Sequence, residues 1–565
     1  MDEFKKDIVR IVSKIVPDVT DSMIEIPPDS SLGDFAVPCF IFSKEMKKSP
    51  VEIAKQIAEN SAPTEFIEKI VAVGPYVNFF VNKAKFAEFV LNSIIKLKGS
   101  YGKSLLGKGK TVMVEFSSPS LNKPQHLGHV RNNVLGASIA AVLDFASYKT
   151  IRANLLNDRG IHICKSMLAY KKFGENREPD KKPDHFVGDF YVLFNKMVKE
   201  HPELEEEAQE MLRKWEEGDK EILALWKKMS NWVYKGFNET YEKLGIHFDV
   251  TYYESDFYDK GKKIVEEGLQ KGLLKKNKEG AIYAELKEFN LPDKFVLRAD
   301  GTSIYVTQDI YLAKLKFEQY QLDKSIYLLG SEHNLYAKQL FAILKKLGFD
   351  FADKCYHKSY GMVFLPEGKM KSREGRVVDA DDIIAKMVAL AREEVKKRYT
   401  DLNQNEIEKR ANAIGIAALK FFMVKQDAAK DIYFVPQESI SFEGETGPYI
   451  QYSFARICSI LKKYGKTISE AVNFSVIAKE KEFELIKILA EFPERVEEAA
   501  KIYDASPIAH YLIKLAQAFN EFYHACPVLT EEEPLKKARI LLVYCVRQVL
   551  GNGLSLLGIE AIEEM

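Results

Sequence analysis

Two hydrophobic periodicities alternate along the first hundred residues. Phe4, Ile8, Ile11, Val12 and Ile15 recur at helical spacing, whereas residues 71–81 form an extended, mostly apolar run broken at Gly74-Pro75. The first pattern predicts an amphipathic helix and the second a pair of strands around a turn. Glycines clustered at 99–102 and 107–110 predict a linker. Beyond it, Thr111-Val112-Met113-Val114-Glu115-Phe116 reads as a buried strand, 117–125 as a polar loop punctuated by proline, 129–143 as a helix, and 150–156 as a second strand. That succession opens a βαβ nucleotide fold. Charged, helix-period sequence from about 160 to 290 predicts an insertion between two halves of the sheet. The second half resumes as a strand at 303–307, a helix at 309–317 and a strand at 325–329. Past about 380 nearly everything reads as helix: Ser506-Pro507 is a good start for 508–522, and Pro534 opens a last helix toward Leu550.

The expected class is therefore α/β, with a Rossmann-like parallel-sheet domain over 106–380, its helical insertion at about 160–290, and an N-terminal α+β domain over 1–105. A connecting helical segment (381–440) and a C-terminal α-helical bundle (441–565) complete it.

Composition narrows the chemistry only a little. The 565 residues are 46% hydrophobic and 29% charged, and Lys+Arg equals Asp+Glu at 82 each, so any polyanionic partner must be met by a local basic face. No apolar stretch reaches the roughly 18–20 residues of a membrane span, and the start lacks an apolar secretory core. The six cysteines are scattered, with no Cys-x-x-Cys pair, which argues against a disulfide framework or a zinc knuckle. A cytoplasmic, reduced protein with no dedicated metal site is expected, bound to no membrane.

Two short segments carry the chemistry. His126-Leu127-Gly128-His129 follows the first core strand at the mouth of a helix. Imidazoles beside free backbone N–H groups and a positive helix terminus suit a triphosphate, and Gly128 leaves room for a flat base; two capping histidines are the alternative. More than two hundred residues on, Glu367-Gly368-Lys369-Met370-Lys371-Ser372-Arg373-Glu374-Gly375 is a glycine-bracketed cationic loop suited to leaving pyrophosphate, or else plain solvated surface. In this order the two resemble the signature motifs of class I aminoacyl-tRNA synthetases.

The flanks narrow the resemblance. Glu115-Phe116-Ser117-Ser118-Pro119-Ser120-Leu121-Asn122-Lys123-Pro124-Gln125 leading into His126–Arg131 resembles the arginyl-tRNA synthetase motif. Further matches lie at 300–309, 330–336, 444–452 and the ending Leu557-Gly558-Ile559-Glu560, and Gly33-Asp34-Phe35 and 74–79 resemble that family's N-terminal tRNA-contacting domain. The resemblance implies activation of L-arginine by ATP, with Mg²⁺ accompanying the nucleotide, then transfer to tRNA(Arg), in a monomer. It assigns catalysis to Lys123, His126, His129 and Lys369, with ATP contacts at Gly128, Gly361, Met362, Val363 and Met370 as well. Arginine is assigned to Glu115, Ser117, Ser120, Tyr305, Asp309 and His333. The helical C-terminus becomes the anticodon-binding domain, with Tyr449, Tyr452 and Arg456 as tRNA contacts.

The residue chemistry agrees. A guanidinium presents five donors in a planar fork and calls for carboxylates that accept it side-on. Glu115 ends a core strand, and Tyr305 and Asp309 are four apart, so both can face one cleft; alternatively Asp309 only caps its helix. Lysine cannot satisfy two such carboxylates, giving discrimination of roughly 10⁴. Aromatics interleaved with cations in 449–464 suit unpaired bases and phosphates. Departures from the family pattern are Ser120 for asparagine, Ser372 for the loop's second lysine, with Lys123 placed to compensate, a partial match at 154–162 that leaves His162 in the pocket or in the core, and His333 for glutamine. Two other readings stay open: another class I specificity or a nucleotidylyltransferase, and a non-enzymatic RNA-binding relative.

Overall fold

A computed structural model describes residues 2–365 and 378–565, so Lys369 and Met370 lie outside the described residues. The N-terminal unit runs α1 (Asp2–Val12), β1 (Phe35–Pro38), α2 (Ser43–Met46), α3 (Pro50–Glu59), β2 (Ile67–Val73), β3 (Tyr76–Val81) and α4 (Lys83–Leu97). Its strands form an antiparallel sheet in the order β1-β3-β2. The hairpin was expected; β1 was not, because four residues are too few to show a period. It is held by Gly33-Asp34, where the Asp34 N–H donates to the Phe79 carbonyl (2.9 Å) and the Asp34 carboxylate accepts from the Val81 N–H (3.0 Å).

The expected linker is packed rather than loose. Tyr101 stacks on Phe492 with ring centroids 6.3 Å apart and donates its hydroxyl to the Leu489 carbonyl at 3.0 Å. Asn552 donates to the Lys98 carbonyl at 3.0 Å, so this stretch is part of the C-terminal core.

The central unit contains β4 (Thr111–Glu115), α5 (Leu127–Phe145), β5 (Lys149–Leu156), then helices α6 (Ile161–Phe173), α7 (Pro183–Met197), α8 (Glu203–Glu216) and α9 (Lys220–Lys243). It continues with β6 (Val250–Tyr253), α10 (Lys260–Gln270), a small antiparallel sheet of β7 (Lys275–Lys276), β8 (Ile282–Ala284) and β9 (Lys294–Leu297), α11 (Tyr305–Tyr320), β10 (Lys324–Gly330), α12 (Asn334–Lys346), β11 (Cys355–Tyr360) and β12 (Val363–Phe364). Five strands form one parallel sheet in the order β11-β10-β4-β5-β6. Its middle strands are buried on both faces, which is why 111–116 and 325–329 read as continuous apolar runs.

Two expectations are corrected here. The stretch 160–290 is not one helical insertion: its β-branched and aromatic Val250-Thr251-Tyr252-Tyr253 returns to the main sheet as the edge strand β6. Nor is 303–307 a strand. Only Ser303 bridges Leu297, and α11 begins at Tyr305 because Thr307 Oγ1 accepts the Ile304 N–H at 3.0 Å and donates to the Val296 carbonyl. That capping bond outweighs the strand propensity of the five residues. Asp309 therefore lies one turn inside the helix, and the alternative that it only caps falls away.

The remaining elements are α13 (Ala380–Arg398), α14 (Gln404–Val424), β13 (Ile432–Tyr433), α15 (Pro436–Ser439), α16 (Gly447–Tyr464), α17 (Glu480–Ile502), α18 (Ser506–Ala525) and α19 (Glu533–Leu556). The two-residue β13 pairs in parallel with β12, and Phe483 of α17 meets Phe86 of α4 edge-on at 5.6 Å, joining the two ends of the chain. Among the described residues no helix is long and apolar enough to cross a membrane.

A charge holds the last helices together. Arg539 (1% exposed) donates to the fully buried Glu482 at 2.6 Å, to Glu531 at 2.8 Å and to the Pro527 carbonyl at 2.5 Å. Arg539→Ala leaves the buried Glu482 charge without its cation, though still accepting from the Lys479 N–H at 2.8 Å, and is expected to cost about 3–5 kcal/mol in denaturant unfolding, while Arg539→Met with Glu482→Leu recovers most of it. A single-variant loss below about 1 kcal/mol contradicts this.

Candidate active site

Chain order reverses between β4 and β10, since β5 and β6 lie on one side of β4 and β10 and β11 on the other. Such a switch point leaves a crevice outside the carboxyl ends of the strands. Glu115 closes β4 at that end, and the chain then passes through two consecutive left-handed residues, Ser117 (φ 76°) and Ser118 (φ 48°). Backbone of this kind persists only when its surroundings fix it. Here Asn132 of α5 accepts the Ser117 N–H, Asn154 of β5 accepts the Ser118 N–H at 3.1 Å, and the Ser117 hydroxyl bonds Tyr241 of α9 at 2.7 Å. Ser120 forms a parallel bridge with Asn157, which steers the chain back toward α5.

At the start of α5 the two imidazoles lie 3.9 Å apart, centroid to centroid. The Gly128 N–H donates to His126 Nδ1 and the His126 N–H donates to His129 Nδ1, both at 3.1 Å. An atom that accepts a hydrogen bond carries no proton, so the neutral rings each keep theirs on Nε2. Charge agrees: burial first, then Lys123, brings His126 down to about 4, and burial, His126 and Lys123 hold His129 well below its ordinary value. The two rings are thus held neutral, each with an Nε2–H to donate. Lys123 is itself lowered by burial. Gly128 makes room for the His126 ring: a Cβ there would sit 3.0 Å from Cε1.

The segments flanking 366–377 both sit on α5. On the near side the fully buried Arg131 donates to the carbonyls of Gly361 (2.5 Å), Met362 (3.3 Å), Ala428 (3.1 Å) and Lys430 (2.8 Å). On the far side the Leu127 N–H donates to the Val378 carbonyl (3.0 Å), His126 bridges Asp379, and the Ala380 N–H donates to Gln125 (2.9 Å). Gly361, Met362 and Val363 thus stand beside the imidazole helix. Val363 is buried under β13, and a Cβ on Gly361 would lie 2.4 Å from Lys430 backbone.

The other end of the crevice is acidic. Burial raises Asp309 to about 6 although Tyr336 of α12 donates its hydroxyl to the carboxylate; Glu115 adds to the rise and Lys316 opposes it. Glu254, just after β6, is pushed up to about 7 by burial, with Arg159 and Gln308 opposing and Asp158 and Asp309 adding. The Glu115 carboxylate pairs with the fully buried Lys316, whose ammonium also lies 4.4 Å from the Tyr327 ring centre. Tyr305 is 64% exposed at the mouth, and His333 is half-exposed, 3.7 Å from Glu332 and edge-on to Tyr336. His162 bonds the Tyr191 hydroxyl at 3.2 Å.

Sequence reasoning missed Glu254, Tyr336 and Lys316. A carboxylate directly after a strand would have marked Glu254 had 250–253 been read as one. Lys316, seven residues after Asp309 on one helix, is a cation at an apolar-face position.

In the C-terminal bundle Tyr449, Tyr452 and Arg456 meet around Asn520 of α18. Arg456 donates to Asn520 (2.8 Å) and to the Tyr452 hydroxyl (3.0 Å), and Asn520 donates to the Tyr449 hydroxyl (2.8 Å). Tyr523 joins them under the same guanidinium at 5.8 Å.

Among the described residues one group could chelate a metal: Asp184, His185 and Asp381. Lys182 already fills it, 2.9 Å from Asp184 and 2.7 Å from Asp381. These contacts, with His185 and Lys243, hold Asp381 well below the carboxylate range against the effect of burial. The group is an ion-pair latch between α7 and α13.

The imidazole assignment predicts that, in histidine-labelled protein, both rings show the Nε2–H pattern in ¹⁵N NMR and neither titrates between pH 8 and about 5. A titration near 6.5 in either ring contradicts it.

Comparison with known proteins follows the same division. The family described as tRNA synthetases class I (R), catalytic domain, matches residues 90–435; the DALR anticodon binding domain matches 450–565; and the arginyl tRNA synthetase N terminal domain matches 2–81. An arginine–tRNA ligase of Treponema denticola is 43% identical over 100% of this chain and 99% of its own. One from Bacteroides fragilis is 44% identical, covering 94% of each. The Thermus thermophilus arginyl-tRNA synthetase structure superposes with a TM-score of 0.84 at 27% identity, covering 99% of this chain and 100% of that one. The chain belongs to the class I arginyl-tRNA synthetase family and is an arginine–tRNA ligase.

Proposed function

We propose that both half-reactions take place in the crevice between β4 and β10. The observation that carries the reading is charge out of water without a full complement: Asp309 and Glu254, both raised by burial, stand at one end, and a desolvated lysine with two neutral imidazoles at the other. A guanidinium supplies what the acidic end lacks and a polyphosphate what the basic end lacks.

In this reading Asp309 takes the guanidinium side-on, Tyr336 orients Asp309, Tyr305 closes the mouth, and Ser117, Ser120 and His333 line the path. Glu115, paired with Lys316, shapes the floor, and its free oxygen accepts from the substrate. ATP enters with Mg²⁺ bound to its phosphates and is contacted by Gly128, Gly361, Met362 and Val363. The arginine carboxylate attacks the α-phosphate in line, forming arginyl-adenylate and releasing pyrophosphate. The Nε2–H groups of His126 and His129 and the ammonium of Lys123 donate to phosphate oxygens as charge develops. Lys369 and Met370 are assigned to the same step from the sequence. A ribose hydroxyl of the terminal adenosine of tRNA(Arg) then attacks the activated carbonyl and AMP departs. Tyr449, Tyr452 and Arg456 contact the tRNA in the C-terminal bundle, and the enzyme works as a cytoplasmic monomer that touches no membrane.

Aminoacylation of tRNA(Arg) with varied arginine and ATP tests this. Asp309→Asn keeps the shape and removes the charge, and is expected to raise the KM for arginine about 10- to 100-fold with the KM for ATP within about twofold. An unchanged arginine KM removes Asp309 from the pocket. Arg456→Ala is expected to raise the KM for tRNA at least about fivefold, leaving both small substrates unaffected; equal tRNA affinity would take the α16 cluster out of the tRNA site.

A further inference from the structure

Asp504 occupies the turn between α17 and α18, only 2% exposed, and has no role in the reaction described above. Its carboxylate accepts the N–H groups of Ala428 (3.0 Å) and Ser506 (2.9 Å) and pairs with Lys358 of β11 (3.0 Å). Ala428 is held on its other side as well. Its carbonyl accepts from the Gly361 N–H at 2.9 Å and from Arg131 at 3.1 Å. Arg131, rooted in the imidazole helix, also grips the Gly361 and Met362 carbonyls, and the Met362 N–H donates to the Asp431 carboxylate at 2.7 Å. The strip 361–363 is thus stitched to 428–431, and 428–431 to the α17–α18 turn. The bonds of Asp504 to Ala428 and Ser506 and of Arg131 to Gly361 and Ala428 are buried and aimed at backbone groups, and each involves a full charge, the kind of hydrogen bond that costs most to leave unmade.

We infer that Asp504 is a positioning residue for ATP: acting through Ala428 and Arg131, it sets where Gly361, Met362 and Val363 stand over α5. The inference rests on the reading of that strip as an ATP contact. Because residues 450–565 match the anticodon binding domain, this carboxylate also joins that domain to the nucleotide end of the crevice. An amide at 504 has a single acceptor oxygen, so it cannot take both N–H groups and balance Lys358 together.

Steady-state aminoacylation by the full-length enzyme with ATP and arginine varied separately reads the effect. Asp504→Asn is expected to raise the KM for ATP roughly five- to tenfold and leave the arginine KM within about twofold. Arg131→Lys, which loses the forked grip but keeps the charge, is expected to do the same. The double variant should be little worse than the more damaged single, because both break one chain. An unchanged ATP KM, a parallel rise in both KM values, or full additivity in the double overturns the relay. If Asp504→Asn fails to fold, Arg131→Lys decides alone, on the split between the two KM values. Met362→Ala separates this from the reading beneath it. An unchanged ATP KM there withdraws the strip from the nucleotide site and the inference with it, whereas a raised value beside an unchanged Asp504→Asn refutes the relay only.

Discussion

Everything in this molecule's active region depends on one constraint: charge removed from water and left short of a partner. Burying a carboxylate is costly unless it is bonded or neutralised, and the ordinary outcome is a raised pKa. Asp309, held by the Tyr336 hydroxyl, is raised to about 6 and Glu254 to about 7, while the Glu115 carboxylate is paired with Lys316. The same rule runs in reverse at the start of α5, where burial strips the imidazoles of their second protons and lowers Lys123. A site of this kind is incomplete by construction. In the reaction proposed above it is finished by the guanidinium of arginine at one end and the phosphates of ATP at the other, and the cost of the mismatch in the free protein is offset when they bind.

The fold exists to keep those two ends at a fixed separation. A parallel sheet with its switch point between β4 and β10 opens the crevice. The strained pair Ser117 and Ser118, pinned by Asn132 and Asn154, turns the chain from the acidic end to the imidazole helix within a few residues. Arg131 then fastens that helix to the segment entering 366–377, while Leu127 and Gln125 fasten it to the segment leaving. The helical bundle is continuous with this core rather than hung from it, through Tyr101 on Phe492 and Asp504 on Ala428.

Much of this was legible in the sequence where local chemistry decides. The apolar runs at 111–116 and 325–329 announce double-sided burial, and the loop–helix position of His126 and His129 announces an anion site. Motifs that matched a family also fixed the family, which composition alone, with its balanced charge, could not do. What stayed hidden was set by partners distant in sequence. A four-residue strand such as Val250–Tyr253 is indistinguishable from a loop until β5 lies beside it. The run 303–307 has strand propensity, yet Thr307 finds Ile304 and Val296 and a helix starts. Glu115 looks like a free carboxylate until Lys316 is folded against it, more than two hundred residues later.

The central claim is that arginine completes a pocket whose carboxylates are partly protonated beforehand, Asp309 near 6 and Glu254 near 7. A cation favours the ionised forms, so its arrival must expel protons wherever those groups still hold them. Calorimetric titration of arginine into the protein, alone and with tRNA bound, in buffers of different ionisation enthalpy, counts them. The account predicts net proton release on binding between pH 6 and 7 that fades by about pH 8.5, with affinity rising across the same interval. Binding that neither releases protons nor strengthens with pH in that window would contradict it.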